Sequence, residues 1–99
     1  MREKKRYLRV KFEGKRAFDE KTAKHLVYNS VFELLGEAGA AKANAFLKQF
    51  NEKTQVGVVK CKTAMLEETI AALALKRFEN GEGIALRLQK ISGNIGKLV

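Results

Sequence analysis

The chain has a single cysteine, Cys61, and a single histidine, His25. One thiol excludes an internal disulfide, and the two residues are too few for a zinc site at Cys/His ligand spacing. The same scarcity counts against catalysis by the chain itself. Neither Ser/His/Asp nor Cys/His chemistry can be placed when the histidine falls in a helical pattern and the cysteine in a strand. No run approaches the roughly 20 apolar residues that cross a bilayer, and the opening MREKKRYLRV has no apolar signal core, so a cytoplasmic protein is expected. A chain of 99 residues can close one core but not two. A single domain over 1–99 is expected, with residues 1–5 as a flexible basic arm.

Positive charge, by contrast, is abundant. Lysine and arginine number 20 against 11 acidic residues, a net charge of +9 and a pI near 9.9, which makes nucleic acid the first partner to consider. The charge is also uneven, since residues 1–16 hold eight Lys or Arg and only two Glu.

The hydrophobic pattern gives the order of elements. In RYLRVKF, residues 6–12, Leu8, Val10 and Phe12 alternate with Tyr7, Arg9 and Lys11, the signature of a half-buried strand. Asp19 can cap a helix running to Leu35, with Ala23, Val27, Ser30, Val31 and Leu34 on its apolar face and Gly36 at its stop. Two β-rich runs, 45–50 and 56–62, flank the polar link NEKTQ and predict an antiparallel hairpin. Thr63 can cap a second long helix with Leu66, Ile70, Leu73, Ala74 and Phe78 inward, Lys76 and Arg77 near its end and Gly81 just beyond. Residues 84–91 alternate again as a fourth strand. The expected fold is an α/β (α+β) sandwich, an RRM-like or ferredoxin-like βαββαβ unit with a four-stranded antiparallel sheet. The alanine-rich residues 37–44 add a short helical insert before the second strand.

GEAGAAKA, residues 36–43, resembles a phosphate loop at first sight. A Walker-type loop needs GxxxxGK[ST] between a strand and a helix, so that backbone amides converge on the phosphate. This stretch fails on spacing, lacks the Ser or Thr, and follows a helix. Gly36 reads better as a helix end and the alanines as a close-packing segment, leaving only Lys42 as a contact for an RNA phosphate. The outward residues of the strands are stronger candidates. If Val59 and Cys61 point inward, Lys60 and Lys62 share a face with Arg9 and Lys11, and Arg87 and Gln89 can join from the last strand. VGVVKCK, 56–62, carries none of the aromatics with which an RRM stacks bases, so contacts to phosphate and to RNA shape are expected there. On the first helix, Lys21, His25, Tyr28 and Phe32 recur opposite the core face. Tyr28 and Phe32 are candidates for a surface that docks a protein or RNA, or for packing beneath the insert.

Several stretches together resemble one family: KKRY at 4–7, Tyr28 with Asn29, GEAGAAKA, VGVVKC at 56–61, AALAL at 71–75 and SGNI at 92–95. This series, in this order over nearly the whole chain, is similar to the Pop-five/Rpp-fourteen family of ribonuclease P protein subunits in its short archaeal form. The resemblance implies a noncatalytic subunit that binds and stabilises the catalytic domain of ribonuclease P RNA, supporting removal of the 5′ leader from precursor tRNA. It implies a TIM-barrel protein partner and no cofactor of the chain's own, with Mg2+ expected at the RNA active site. By position it assigns Lys4, Lys5 and Arg6 to a basic opening, Gly36, Gly39 and Lys42 to the glycine-alanine segment, and Ser92, Gly93 and Ile95 to a terminal motif. The family's SGTIK stands here as SGNIGK, with Asn94 for threonine and Gly96 before Lys97. Asn94 can still donate and accept hydrogen bonds, and Ser92, Gly93, Asn94 and Lys97 are candidate RNA contacts. Two alternatives remain at this point. One is a ribosomal or other ribonucleoprotein scaffold domain. The other is an acylphosphatase-like enzyme, which this chain resembles in size, pI and element order, with Arg16 of EGKRAF as its phosphate-binding residue.

Overall fold

Leu8, Val10 and Phe12 are fully buried, and the strand that carries them, β1 (Lys5–Gly14), lies at the centre of the sheet. The structure is a computed structural model and describes residues 4–79, 81–94 and 96. After β1 come α1 (Glu20–Ala43), β2 (Phe46–Asn51), β3 (Val56–Lys62), a 3-10 turn at Thr63–Met65, α2 (Leu66–Leu75), β4 (Phe78–Glu79) and β5 (Glu82–Ser92). The strands are ordered β2-β3-β1-β5-β4 and every pairing is antiparallel. Four long strands thus make the expected βαββαβ sheet, and the two-residue β4 adds a small hairpin at its edge. Both helices pack on one face, closing a core of Leu8, Val10, Phe12, Leu26, Val27, Val59, Cys61 and Leu73. Burial pushes the Cys61 thiol up, against a lesser opposing effect from the Thr69 side chain, so the protonated, unreactive form is favoured.

Asp19 caps α1 as expected, its carboxylate accepting from the Thr22 amide at 2.7 Å. The Thr22 side chain and, to a lesser degree, this amide bond hold the Asp19 carboxyl below the usual aspartate value. Because the folded-state value is the lower one, the cap's stabilisation is present above the unfolded pKa and is lost as pH falls through the folded one. Asp19→Asn keeps an acceptor but does not titrate. The variant is expected to show a shallower loss of urea midpoint on acidification; an identical acid limb would mean that the charge contributes nothing.

The buried face of α1 is Ala23, Leu26, Val27, Ser30 and Val31. Leu26 takes a place the sequence pattern had left out, and Leu34 is 45% exposed instead of buried. Buried Ser30 satisfies its hydroxyl on the Leu26 carbonyl at 2.6 Å. The helix does break at Gly36, whose φ of 71° and ψ of −176° lie in a region that essentially only glycine occupies. Helical turns then resume to Ala43 and end at Asn44, in the left-handed region at φ 46°, whose amide donates to the Ala40 carbonyl at 3.0 Å. The insert is therefore helical, as expected, and packs Ala43 against Val31 of α1 and Ala72 of α2.

The hairpin turn needs no glycine because two polar residues do its work. Asn51 Oδ1 accepts from the Lys53 and Thr54 amides at 2.9 and 3.2 Å, and Gln55 takes the left-handed conformation at φ 58°. The Gln55 carboxamide then bonds both the amide and the carbonyl of Phe18, at 2.6 and 3.0 Å, tying the hairpin to the loop before α1. At Gly57 a Cβ would stand 2.7 Å from Leu47 Cδ1 and 3.1 Å from the Gln49 carbonyl oxygen, so a side chain here would require Leu47 and the β2 backbone to shift.

The second helix is shorter than its sequence pattern. Thr63 makes no side-chain cap; it opens the 3-10 turn, and α2 starts only at Leu66. The helix ends at Leu75, leaving Lys76, Arg77 and Phe78 outside it and Ala74 exposed, while Thr69, Ala72 and Leu73 are the buried set. Lys76 does not serve the helix end from solvent. It turns inward and is buried, its ammonium 2.8 Å from Glu33 of α1, which links the two helices.

Candidate nucleic-acid interface

The register of the sheet decides which polar residues share its helix-free face. Across β5, β1, β3 and β2, Ser92, Tyr7, Lys60 and Phe46 stand opposite one another in one row. Lys5 and Lys62 pair just beyond this row, towards the start of β1. On its other side come Lys90, Arg9, Val58 and Gln49, and then Arg87, Lys11, Val56 and Asn51. Arg9, Lys11, Lys60, Lys62 and Arg87 therefore lie on one face, as their alternation indicated.

Cation density is not uniform over that face. At the β1 start, Lys5 and Lys48 lower the pKa of Lys60, by hydrogen bonding and like charge from Lys5, with burial and Lys48 adding to it. Arg6 extends from the same end, and its guanidinium would lie 3.4 Å from a Cβ placed on Gly93. Lys4 is fixed there too, its carbonyl accepting from the Thr63 amide at 2.9 Å. Lys4 and Lys5, assigned to a flexible arm by the sequence, are thus joined to β1 and its neighbours, while residues 1–3 lie outside the described residues. Lys42 is exposed in the last turn of α1, just before β2 begins at the same end of the sheet. At the other end of the face two cations already have partners. Arg87 is engaged by Glu13 and Lys11 donates to the Thr54 carbonyl.

The terminal motif sits beside the basic opening. Ser92 Oγ donates to the Asn94 carbonyl and accepts from its amide, both at 3.0 Å, while Asn94 Oδ1 accepts from the Gly96 amide at 2.9 Å. Asparagine at this position thus closes its own turn. Ile95 and Lys97 lie outside the described residues.

Three residues of the face escaped the sequence reading. A bulge between Arg9 and Val10 leaves Gln89 as the extra residue of β5 and turns Lys90 outward opposite Arg9. A second bulge makes Lys48 the extra residue of β2. Phe46 is 40% exposed on this face, with Lys60 Nζ 5.7 Å from its ring centroid. Residue type at Phe46 was a usable signal; its row was not, because register is not written in one strand.

Tyr28 and Phe32 form a separate feature on α1, 57% and 42% exposed, their rings stacked at 6.0 Å and 22°. They are not covered by the insert but flank a cavity of about 400 Å3 between it, Val31 and Phe46. His25 and Lys21 are exposed on the same helix. Arg16, the residue an acylphosphatase-like site would need, is exposed in the β1–α1 loop, where the Phe18 amide is already given to Gln55 and Asp19 brings a carboxylate. That loop is poorly furnished to cradle a phosphate. Among the described residues no group of three His, Cys, Asp or Glu could hold a metal ion, and no helix is long and apolar enough to cross a membrane.

Residues 6–98 match the model of the Rpp14/Pop5 family. The chain belongs to this family. Members similar to it include ribonuclease P protein component 2 of Pyrococcus furiosus, 33% identical over 98 residues, and of Thermococcus gammatolerans, 34% identical over 98 residues; each alignment covers 99% of this chain and 82% of the relative. A chain in the cryo-EM structure of yeast ribonuclease MRP superposes with a TM-score of 0.77 at 10% identity, covering 96% of this chain and 78% of that one. The RRM-like sandwich described above is thus shared with that chain, and in this protein it brings Lys4, Lys5 and Arg6 together with Ser92, Gly93 and Asn94 at one end of the sheet.

Proposed function

We propose that this chain is a noncatalytic, RNA-binding subunit of ribonuclease P, supporting removal of the 5′ leader from precursor tRNA. The observation that carries the reading is the basic end of the sheet, where Lys5, Lys60 and Lys62 on the open face meet Lys4 and Arg6 at the start of β1, with Gly93 beside Arg6. Crowded ammonium groups repel one another and are relieved by a polyanion, whose counterions they release. In a folded RNA the gain is reciprocal, since the protein's cations offset the repulsion between closely packed phosphates. The side chains on this face offer ammonium and guanidinium groups where a hard cation needs oxygen ligands. Mg2+ in the complex would accordingly be held by RNA and substrate phosphates, and the chain would act by fixing the RNA that holds it. Reconstitution tests the reading. The purified protein alone should leave precursor tRNA uncut and should raise cleavage when added, with its partner, to ribonuclease P RNA. No stimulation would overturn it, and preferential capture of ribosomal RNA would favour a scaffold role instead.

The family's TIM-barrel subunit is the protein partner in this reading, and the stacked Tyr28 and Phe32 are its proposed contact. Two exposed aromatics over a cavity have the character of interface anchors. Replacing both with alanine should weaken assembly with the partner by about 2 kcal/mol or more, the loss of one central anchor. The unfolding midpoint of the isolated chain should stay close to the parent's. Loss of the fold would show instead that the pair belongs to the core.

A further inference from the structure

Four strands contribute one residue each to the row Ser92, Tyr7, Lys60, Phe46, and this row places two aromatic rings on a face otherwise dominated by cations. Phe12, by contrast, packs edge to face with both Phe18 and Phe50 on the helix side. Tyr7 and Phe46 belong to the open-face row with Lys60, and Phe46, on the edge strand β2, is 40% exposed and also borders the cavity beside Tyr28 and Phe32 of α1. At an inter-strand spacing of about 4.8 Å the backbones of Tyr7 and Phe46 are roughly 10 Å apart, with Lys60 midway. That span matches two successive nucleotides of an unpaired chain, each base over one ring and the intervening phosphate near the ammonium.

We propose that the open face binds an unpaired RNA segment, one base stacking on Tyr7 and the next on Phe46, with Lys60 holding the phosphate between them. The proposal rests on the RNA-binding reading above and sharpens it: this end of the sheet distinguishes single strands from duplex, beyond neutralising charge. Charge favours RNA as the occupant. Lys5, Lys62, Arg9 and Lys90 border the row, whereas the β1 carboxylate, Glu13, is at the far end of the strand and occupied by Arg87. In the free protein Lys60 itself lies over the Phe46 ring, with Lys5 and Lys48 crowding its ammonium. A phosphate would draw the ammonium off the ring and free that face for a base. The adjoining row continues the site as a groove of about 900 Å3 lined by Arg9, Gln49, Asn51, Val58 and Gln89. Within it Arg9 Nε is shielded from solvent and has no hydrogen-bond partner. Guanidinium and carboxamide groups suit the edges of a flanking base, whereas an apolar peptide would leave them unsatisfied.

The test uses the full chain and a short oligouridine carrying one 2-aminopurine, either single-stranded or annealed to its complement. Binding of the single strand should quench the fluorescence. Tyr7→Leu and Phe46→Leu should each weaken it by about tenfold, the value of one stacked base, and the pair should abolish the quench. The salt slope should not change, because no charge is removed. Tyr7→Phe keeps the ring and should bind as the parent does. Equal loss on the duplex, or an unchanged quench in the double variant, would overturn the proposal, as would failure of the parent to bind the single strand. A 4-thiouridine oligonucleotide crosslinked to the parent protein needs no variant to fold: adducts at Tyr7 and Phe46 support the site, and adducts elsewhere alone overturn it. Failure of stacking with cleavage still stimulated would leave the ribonuclease P reading standing. Failure of stimulation would remove that reading whatever the oligonucleotide shows.

Discussion

Replacing Lys4, Lys5 and Arg6 together with alanine is expected to weaken binding to ribonuclease P RNA by about 30- to 100-fold near physiological salt and to lower the salt slope by roughly 2 to 3. The estimate takes about 0.7 to 0.9 counterions released per phosphate contact. The three residues warrant this expectation because their backbone is held in place. Lys5 and Arg6 are in β1, paired with Lys62 and Cys61, and the Lys4 carbonyl is bonded to the Thr63 amide. A control with the same charge change separates a local site from the general field. Lys15, Arg16 and Lys53 are exposed at the opposite end of the sheet, in the β1–α1 loop and the hairpin turn. Their triple alanine variant should change the slope by less than 1. Equal slopes for the two variants would mean that RNA responds to net charge alone, and an unchanged slope in the first would remove the basic end from the interface.

How much of this site could be read in advance depended on whether each feature is local. The alternation in β1 placed Arg9 and Lys11 opposite the core correctly, because a strand's two faces are set by a period of two. The same rule misplaced the end of β5. One extra residue at Gln89 shifts the alternation, so Lys90 and Ser92 take the outward paired positions and Ile91 does not, while Gln89, unpaired in the bulge, still lines the groove beside Arg9. Nothing within IALRLQKI marks that bulge, since it arises from pairing with β1. Helix ends behaved similarly. Asp19 and Gly36 act through their own backbone neighbours and were readable, whereas Lys76 leaves the helical pattern for a partner on α1, Glu33, 43 residues away in sequence. The Tyr7, Lys60 and Phe46 row is the extreme case, with each member in a different strand.

That dependence on β1 makes Phe12 the position whose loss should reach furthest. Phe12→Ala is expected to cost about 3 to 5 kcal/mol, the usual range for removing a fully buried phenylalanine. Small domains have only about 5 to 15 kcal/mol in all, so the variant should unfold at a much lower urea midpoint or fail to fold at physiological temperature. The ring meets Phe18 and Phe50 edge to face, with centroids 6.2 and 5.1 Å away, and so joins β1 to the loop before α1 and to β2. The backbone repeats the connection, as the Phe12 amide donates to the Gln55 carbonyl at 2.8 Å. Loosening this end should therefore disturb pairing along the strand that carries Lys5, Tyr7, Arg9 and Lys11, none of which Phe12 touches from the opposite face. Phe12→Leu retains most of the apolar volume and separates stability from binding. Measured well below its midpoint, it should bind RNA with the parent's affinity and salt slope. If instead Phe12→Ala unfolds at nearly the parent's urea midpoint, β1 is held by its hydrogen-bonded neighbours rather than by the aromatic cluster. In that case the open face would owe its geometry to the register alone.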